Sequence, residues 1–152
     1  MRDKTNKARV VAVCTSAEKG TRKVPRDSAR VVAGYGIADD AHADTETKRQ
    51  VSLLAIESIE KMKGLSRKLM PGDFGENLTI EGIDIMSYPV GTRVYIGKEV
   101  ILEITRIGKT CHKGCAIFRE VGTCIMPREG VFARVINGGD VAAGDELEIQ
   151  QG

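Results

Sequence analysis

The chain has 152 residues, enough for one domain over residues 1–152 that buries roughly two-thirds of its unfolded surface and needs no disulfide or metal staple to fold. It is 41% hydrophobic and 29% charged, an ordinary globular composition, and its net charge of +2 gives no reason to expect a nucleic-acid partner. No apolar run approaches the roughly 18 residues of a membrane span, so no membrane partner is expected either.

The basic start is followed by only a short apolar run, Val10–Cys14, below the roughly 7–15 residues of a signal-peptide core. The chain therefore reads as cytoplasmic. Its cysteines are then expected to be reduced and available for metal or sulfur chemistry. Seventeen glycines point to many turns. Abundant Val and Ile favour short β-strands.

Residues 1–8 are polar and are expected to fray. Val10–Cys14 predicts a buried strand. Glu18–Asp27, charged and broken by Gly20 and Pro25, predicts a loop or hairpin connection. Ala29–Ala33 predicts a second strand, ended by Gly34-Tyr35-Gly36. Ile37–Lys48 gathers Asp39, Asp40, His42, Asp44 and Glu46 without apolar periodicity and predicts a surface loop. Gln50–Leu54 opens a new element, with Ser52 as helix N-cap, Ala55–Met62 helical and Gly64 as the stop.

Leu69–Asn77 is glycine-rich and predicts a loop leading into a strand at Leu78–Ile80. Gly82, Pro89 and Gly91 break up the region after that strand. Alternation of Val94 and Ile96, then of Val100, Leu102 and Ile104, predicts a hairpin turning at Gly97-Lys98 in a two-residue type II′ turn. Cys115–Val121 predicts a short helix, and Gly130–Ile136 a strand. Asn137-Gly138-Gly139-Asp140 predicts a tight turn, and Val141 to Ile149 a final hairpin about Gly144-Asp145. Regularly spaced short strands predict a mainly β fold: a barrel-like mixed sheet with one or two short helices.

Chemistry concentrates between Lys109 and Val135. Cys111, Cys115 and Cys124 fall there with His112, among lysines and arginines. Nearby cations favour the thiolate, which is both the nucleophile and the metal ligand. An isolated cysteine is most simply a small buried hydrophobe; three with a histidine favour function. Cys111-x3-Cys115 fits a zinc site only loosely and has no second pair, and it is one residue too long for a thioredoxin-type motif. His42 among carboxylates suits a hard-metal site or an oriented imidazole, against the plainer reading of a solvated loop. The Pro71–Asn77 loop can turn backbone N–H groups toward an anion but lacks a P-loop ending. Arg128 and Arg134 carry forks suited to phosphate, though lone arginines are usually surface solubilisers.

Several segments, in order, resemble the MOSC domain, the family named after the C-terminal domain of molybdenum-cofactor sulfurase. They are Gly36–His42 with Asp40-Ala41-His42; Arg49–Leu54; Pro71–Thr79; and Leu102–Cys115. The Gly139-Asp140 and Gly144-Asp145 turns are similar too. The resemblance is greatest to small stand-alone bacterial members.

It implies a barrel-like β fold and a role in handling sulfur or the molybdenum cofactor. It implies that the thiolate of Cys111 or Cys115 carries sulfur or ligates molybdenum; both positions match the family's cysteine. It also implies a pocket in which His42, Arg49, Asn77 and Arg128 bind the anionic cofactor. Asn77 matches an asparagine of the reductase members. Gly75 stands where those members have arginine, and their additional N-terminal domain has no room here; both departures argue against a complete reductase. The implied partners are molybdenum-cofactor biosynthesis proteins or a cysteine desulfurase. Pyridoxal phosphate, linked to the family, is expected on the desulfurase and not on this chain. The alternatives are a non-catalytic binding or scaffold module in cofactor biosynthesis and a small molybdenum-dependent reductase.

Overall fold

The computed structural model describes residues 8–16, 23–38, 40–41, 43–47, 49–62, 71–72, 74, 76–108 and 130–150. Its strands are β1 (Ala8–Thr15), β2 (Val24–Arg26), β3 (Ser28–Val32), β4 (Gly36–Ile37), β5 (Val51–Ala55), β6 (Leu78–Glu81), β7 (Arg93–Ile96), β8 (Val100–Ile107), β9 (Val131–Asn137), β10 (Gly139–Ala142) and β11 (Glu146–Gln150). Helix α1 (Ile56–Met62) comes directly after β5, and a 3-10 turn spans Ile85–Ser87.

Seven strands run in the order β11-β7-β8-β9-β5-β6-β1, and β1 returns to β11 through Ala8↔Leu147 and Arg9↔Glu146. The sheet thus closes into a barrel, which removes the exposed edges an open sheet would carry. The expected mainly β, barrel-like mixed sheet is what forms. β5 and β6 form the parallel pair, in register Leu53↔Leu78. A parallel pair needs a crossover connection, and α1 lies on it, packed against both strands. β2 continues the sheet outward from β1, while β10-β3-β4 form a separate three-stranded sheet.

Alternation decides which side chains enter the barrel. On β8, Val100, Leu102 and Ile104 point inward and are at most 1% exposed, while Ile101, Glu103 and Thr105 between them are half-buried. Leu53, Leu78, Val13 and Val131 join the same core. β5 is buried at all five positions, as a strand covered on both faces must be. Leu54, Ile59, Phe74, Phe132 and Cys14 are buried outside the barrel cluster, so the outer wall of β1, β6, β5 and β9 carries a second packed layer.

Several local expectations are corrected. Val24–Arg26, expected to lie within a loop or hairpin connection, is itself a short strand paired antiparallel with β1; Pro25 is tolerated because β2 is an edge. Ser52 does not cap a helix. It lies inside β5, and the helix begins four residues later. The apolar run Leu53-Leu54 has no period to separate strand from helix, and burial on both faces decides for strand. The β7–β8 turn holds three residues, since Ile96 pairs with Val100, and Gly97 supplies its φ of +62°. The last two strands do not pair as a hairpin: β10 pairs with β3, and β11 with β7 and β1. The expected helix at Cys115–Val121 and the stop at Gly64 lie outside the described residues. Among the described residues no helix is long and apolar enough to cross a membrane.

Candidate functional site

The pairing registers align Arg106, Phe132, Ser52, Asn77, Cys14 and Pro25 in one row across the outer wall. The centre of this row is Asn77, which is fully buried. Its Oδ1 accepts from the Ser52 backbone N–H (3.0 Å) and hydroxyl (3.2 Å), and its Nδ2 donates to the Cys14 carbonyl (3.1 Å). Its own backbone N–H donates to the Ser52 hydroxyl (2.9 Å) and carbonyl (3.0 Å). A carboxamide carries an acceptor and a donor at one tip. Asn77 uses both to tie β6 to β5 on one side and to β1 on the other. Its amide is therefore committed to the wall.

One step along, where β1 ends, lies a buried ion pair. The Lys23 ammonium donates to Asp40 Oδ1 at 2.8 Å, and both side chains are fully enclosed. Lys23 also donates to the Ser16 hydroxyl (3.2 Å), and Asp40 Oδ1 accepts the Ser16 backbone N–H (3.1 Å). The Ala41 N–H donates to the Ser16 carbonyl (2.8 Å), and the Lys23 N–H to the Gly72 carbonyl (2.8 Å). These bonds hold together the end of β1, the start of β2, the Asp40-Ala41 turn and Gly72. Burial pulls the Lys23 ammonium down from its usual range, and Asp40 opposes that pull.

Glu76 lies in the same cluster, within Coulombic reach of Lys23, and is fully buried. Its Oε2 accepts from the Gly72 N–H (2.9 Å) and the Thr79 hydroxyl (2.7 Å), while Oε1 has no hydrogen-bond partner among the described residues. Burial pushes the carboxyl above its ordinary range, and the N–H and hydroxyl donors offset only part of that shift. Gly72 is required here. Its φ is +92°, and a Cβ would fall 2.2 Å from the Lys23 carbonyl oxygen and 3.1 Å from Cys14 Sγ.

Of the expected pocket residues, Asn77 and Arg49 come close to the same row. Arg49 precedes β5 and is exposed, with its guanidinium carbon 6.0 Å from the Phe132 ring centroid. His42, Cys111, Cys115 and Arg128 lie outside the described residues. The cysteine segment is nevertheless bounded by described positions. The Gly108 N–H donates to the Gly130 carbonyl (2.7 Å), directly beyond the Ile107↔Val131 pair. Both ends of the segment therefore start from β8–β9, next to Leu53 of β5.

Asp40, expected as one solvated acid of a surface loop, is instead enclosed. The buried counter-charge accounts for the difference: a carboxylate with its own ammonium can leave water. Lys23 and Glu76 carry no sequence signal, each sitting among other charges or glycines. Gln50, also buried, spans the Asp44 carbonyl (3.2 Å) and the Val135 N–H (3.0 Å), pinning the acidic loop to β9. Among the described residues no group of three or more His, Cys, Asp or Glu side chains is arranged to hold a metal ion. A separate open cavity of about 360 Å³ beside the β7–β8 turn is lined by Lys98, Glu99, Asp140 and Asp145 among others, and contains none of the expected residues.

The MOSC domain family model matches residues 39–148. No curated protein matches the chain. Among solved structures the chain is similar to the YuaD protein from Bacillus subtilis, with a TM-score of 0.77 at 19% identity, covering 94% of this chain and 95% of that one. It is also similar to YiiM from Geobacillus stearothermophilus, with a TM-score of 0.73 at 17% identity over 95% and 75% of the two chains. YiiM from Escherichia coli gives 0.70 at 18% identity over 96% and 70%. At these identities the structural likeness establishes the fold. The family model spans most of the chain and covers the barrel from the Asp40 turn to β11, and by that match the chain belongs to the MOSC domain family.

Proposed function

We propose that this chain handles sulfur for the molybdenum-cofactor system, with the thiolate of Cys111 or Cys115 as the carrier. The family is associated with molybdenum-cofactor sulfurase-type functions. The observation that carries the reading is the Gly108–Gly130 clasp. It starts and ends the cysteine-bearing segment at the adjoining ends of β8 and β9, next to the fully buried β5 and the exposed Arg49. A carrier thiol needs such a base, because sulfur transfer brings two sulfur atoms into line.

In this reading a carrier thiolate attacks the terminal sulfur of a persulfide on a partner cysteine desulfurase. A new S–S bond forms, the partner's S–S bond breaks, and the partner's cysteine leaves as a thiolate. One sulfur atom moves and no external oxidant or reductant is consumed. The basic residues around Cys111 and Cys115 favour the attacking thiolate. The pyridoxal phosphate that cleaves the C–S bond of free cysteine belongs to the partner.

The molybdenum cofactor itself fits the described residues only in part. Arg49 offers an exposed guanidinium matched to its anionic phosphate, but Asn77 is committed to backbone and hydroxyl partners. When bound, the cofactor supplies two-electron atom transfer; the sulfur-carrier steps above do not run through it.

The test is intact-mass measurement after incubation with a cysteine desulfurase and cysteine. A mass gain of one sulfur atom, mapped to the Cys111 or Cys115 peptide and abolished by Ser at that position, is the expected result. Full cofactor maturation by Cys111→Ser and Cys115→Ser variants alike would leave a scaffold role and remove the carrier. Stoichiometric zinc would also overturn the reading.

A further inference from the structure

β8 does not run as a regular strand up to the cysteine-bearing segment. Its register with β9 shifts between Ile104 and Arg106, so Thr105 is an extra residue and Arg106 pairs with Phe132. A bulge of this kind re-aims the side chains beside it. The Thr105 hydroxyl donates to the Phe132 carbonyl (3.2 Å) and ties the bulge to β9. The Arg106 side chain runs along its own strand, where its Nε–H donates to the Gly108 carbonyl at 3.0 Å.

Gly108 is thereby held through both of its backbone polar groups. Its N–H donates to the Gly130 carbonyl at 2.7 Å, and its C=O accepts from Arg106. The two bonds lie on successive peptide planes, one before Gly108 and one after it. Each plane is rigid, so holding both restrains φ and ψ at Gly108. Its φ of +77° is one that glycine takes without a Cβ clash. The second plane is shared with Lys109, where the cysteine-bearing segment begins. Cys111 is three residues beyond Gly108, so covalent geometry keeps its Cα within about 11 Å of the Gly108 Cα. At that reach a turn of about 10° at Gly108 displaces Cys111 by up to about 2 Å. Cys115 is seven residues beyond Gly108, and the same bonds restrain it far less.

We infer that Arg106 is a positioning residue for sulfur transfer to Cys111, acting through the Gly108 carbonyl. The inference rests on the sulfur-carrier reading and adds which thiol is aimed and by what. In that transfer the thiolate has to meet the partner's terminal sulfur in line with the bond that breaks, and small misplacements of reacting atoms are costly in rate. Arg106 is exposed and lies outside the core cluster, so it directs the chain leaving β8 without supporting the barrel interior.

The test compares wild type with Arg106→Met, which keeps a long side chain and removes the donor. Each full chain is mixed with a persulfidated cysteine desulfurase over a range of concentrations in a single turnover, and the transferred sulfur is mapped by peptide mass. Alkylation of the Cys111 peptide by iodoacetamide is followed in parallel against pH. The expected result is a saturating transfer rate to Cys111 lowered about tenfold in Arg106→Met, with the half-saturating desulfurase concentration and the alkylation profile unchanged. A saturating rate within about twofold of wild type overturns the inference. So does a lowered rate accompanied by an alkylation profile moved to higher pH, because the guanidinium then acts as a charge on the thiolate. Sulfur on Cys115 and not on Cys111 in wild type overturns it too, and leaves the carrier reading in place. A wild type that takes up no sulfur removes the carrier reading and the role of Arg106 with it.

Discussion

The inside of the barrel and the outer wall of β1, β6 and β5 are equally dry but are held by different physics. Inside, Val10, Leu53, Ile80, Leu102 and Ile104 are all 0% exposed and carry no polar side-chain atom. Any apolar set of similar volume and alternation would serve there. On the wall, Asn77, Glu76 and Thr79 are also 0% exposed, yet each works through named hydrogen bonds. The interior tolerates repacking. The wall tolerates little, because a buried polar group that loses its partner keeps its desolvation penalty.

The sharpest way to break this contrast is at the ion pair. Lys23→Met alone leaves Asp40 buried without its cation and is expected to destabilise by about 3–5 kcal/mol, read from urea unfolding. The double variant Lys23→Met with Asp40→Leu is expected to recover much of that loss. If the double variant is as unstable as the single one, a lone buried charge is not what destabilises the wall.

Leu102→Ala tests the interior. Its loss is expected at about 2–5 kcal/mol, set by how far the barrel relaxes around the cavity. Leu102→Met is expected to lose less than about 1.5 kcal/mol. Asn77→Ala on the wall removes an acceptor from the Ser52 N–H and a donor from the Cys14 carbonyl, and is expected to cost about 1–3 kcal/mol for each group left unsatisfied. Asn77→Leu, of similar size but apolar, is expected to be no better. An Asn77→Leu protein as stable as wild type would erase the distinction between the two regions.

Glu76 gives a smaller, pH-dependent effect. Its carboxyl is raised above the ordinary value of 4.5 by burial. The folded state therefore holds this proton more tightly than the unfolded chain does. The contribution is full below the unfolded value and is lost as pH rises through the folded one. Glu76→Gln is expected to flatten that part of the pH profile of the unfolding midpoint. The exposed Arg134–Glu103 pair at 2.7 Å is the control: its removal is expected to change stability by only about 0.2–1 kcal/mol.

Much of the barrel is legible in the residues alone. Alternation at Val94–Ile96 and Val100–Ile104 marks β7 and β8, because one face of each strand must be apolar and the other need not be. The ordered segments from Gly36 to Cys115 point to the family. Lys23 is not legible, because a lysine in a charged stretch carries no sign of where its partner lies. Asp40 is visible only as one acid among several. Its burial depends on Lys23, seventeen positions away.

Local pattern by itself thus determined most strands and the helix after β5, since periodicity and turn chemistry act between near neighbours; the family was legible only as a resemblance of ordered segments. Only the tertiary structure decided that Ser52 is a strand residue, that β10 and β11 part company, and that Asn77 binds the wall together. Each of those outcomes depends on a partner distant in sequence: β6 and β9 for Ser52, β3 and β7 for the last two strands, and Ser52 with Cys14 for Asn77. A chain closed into a barrel makes such contacts obligatory, but the sequence does not display which residues they join.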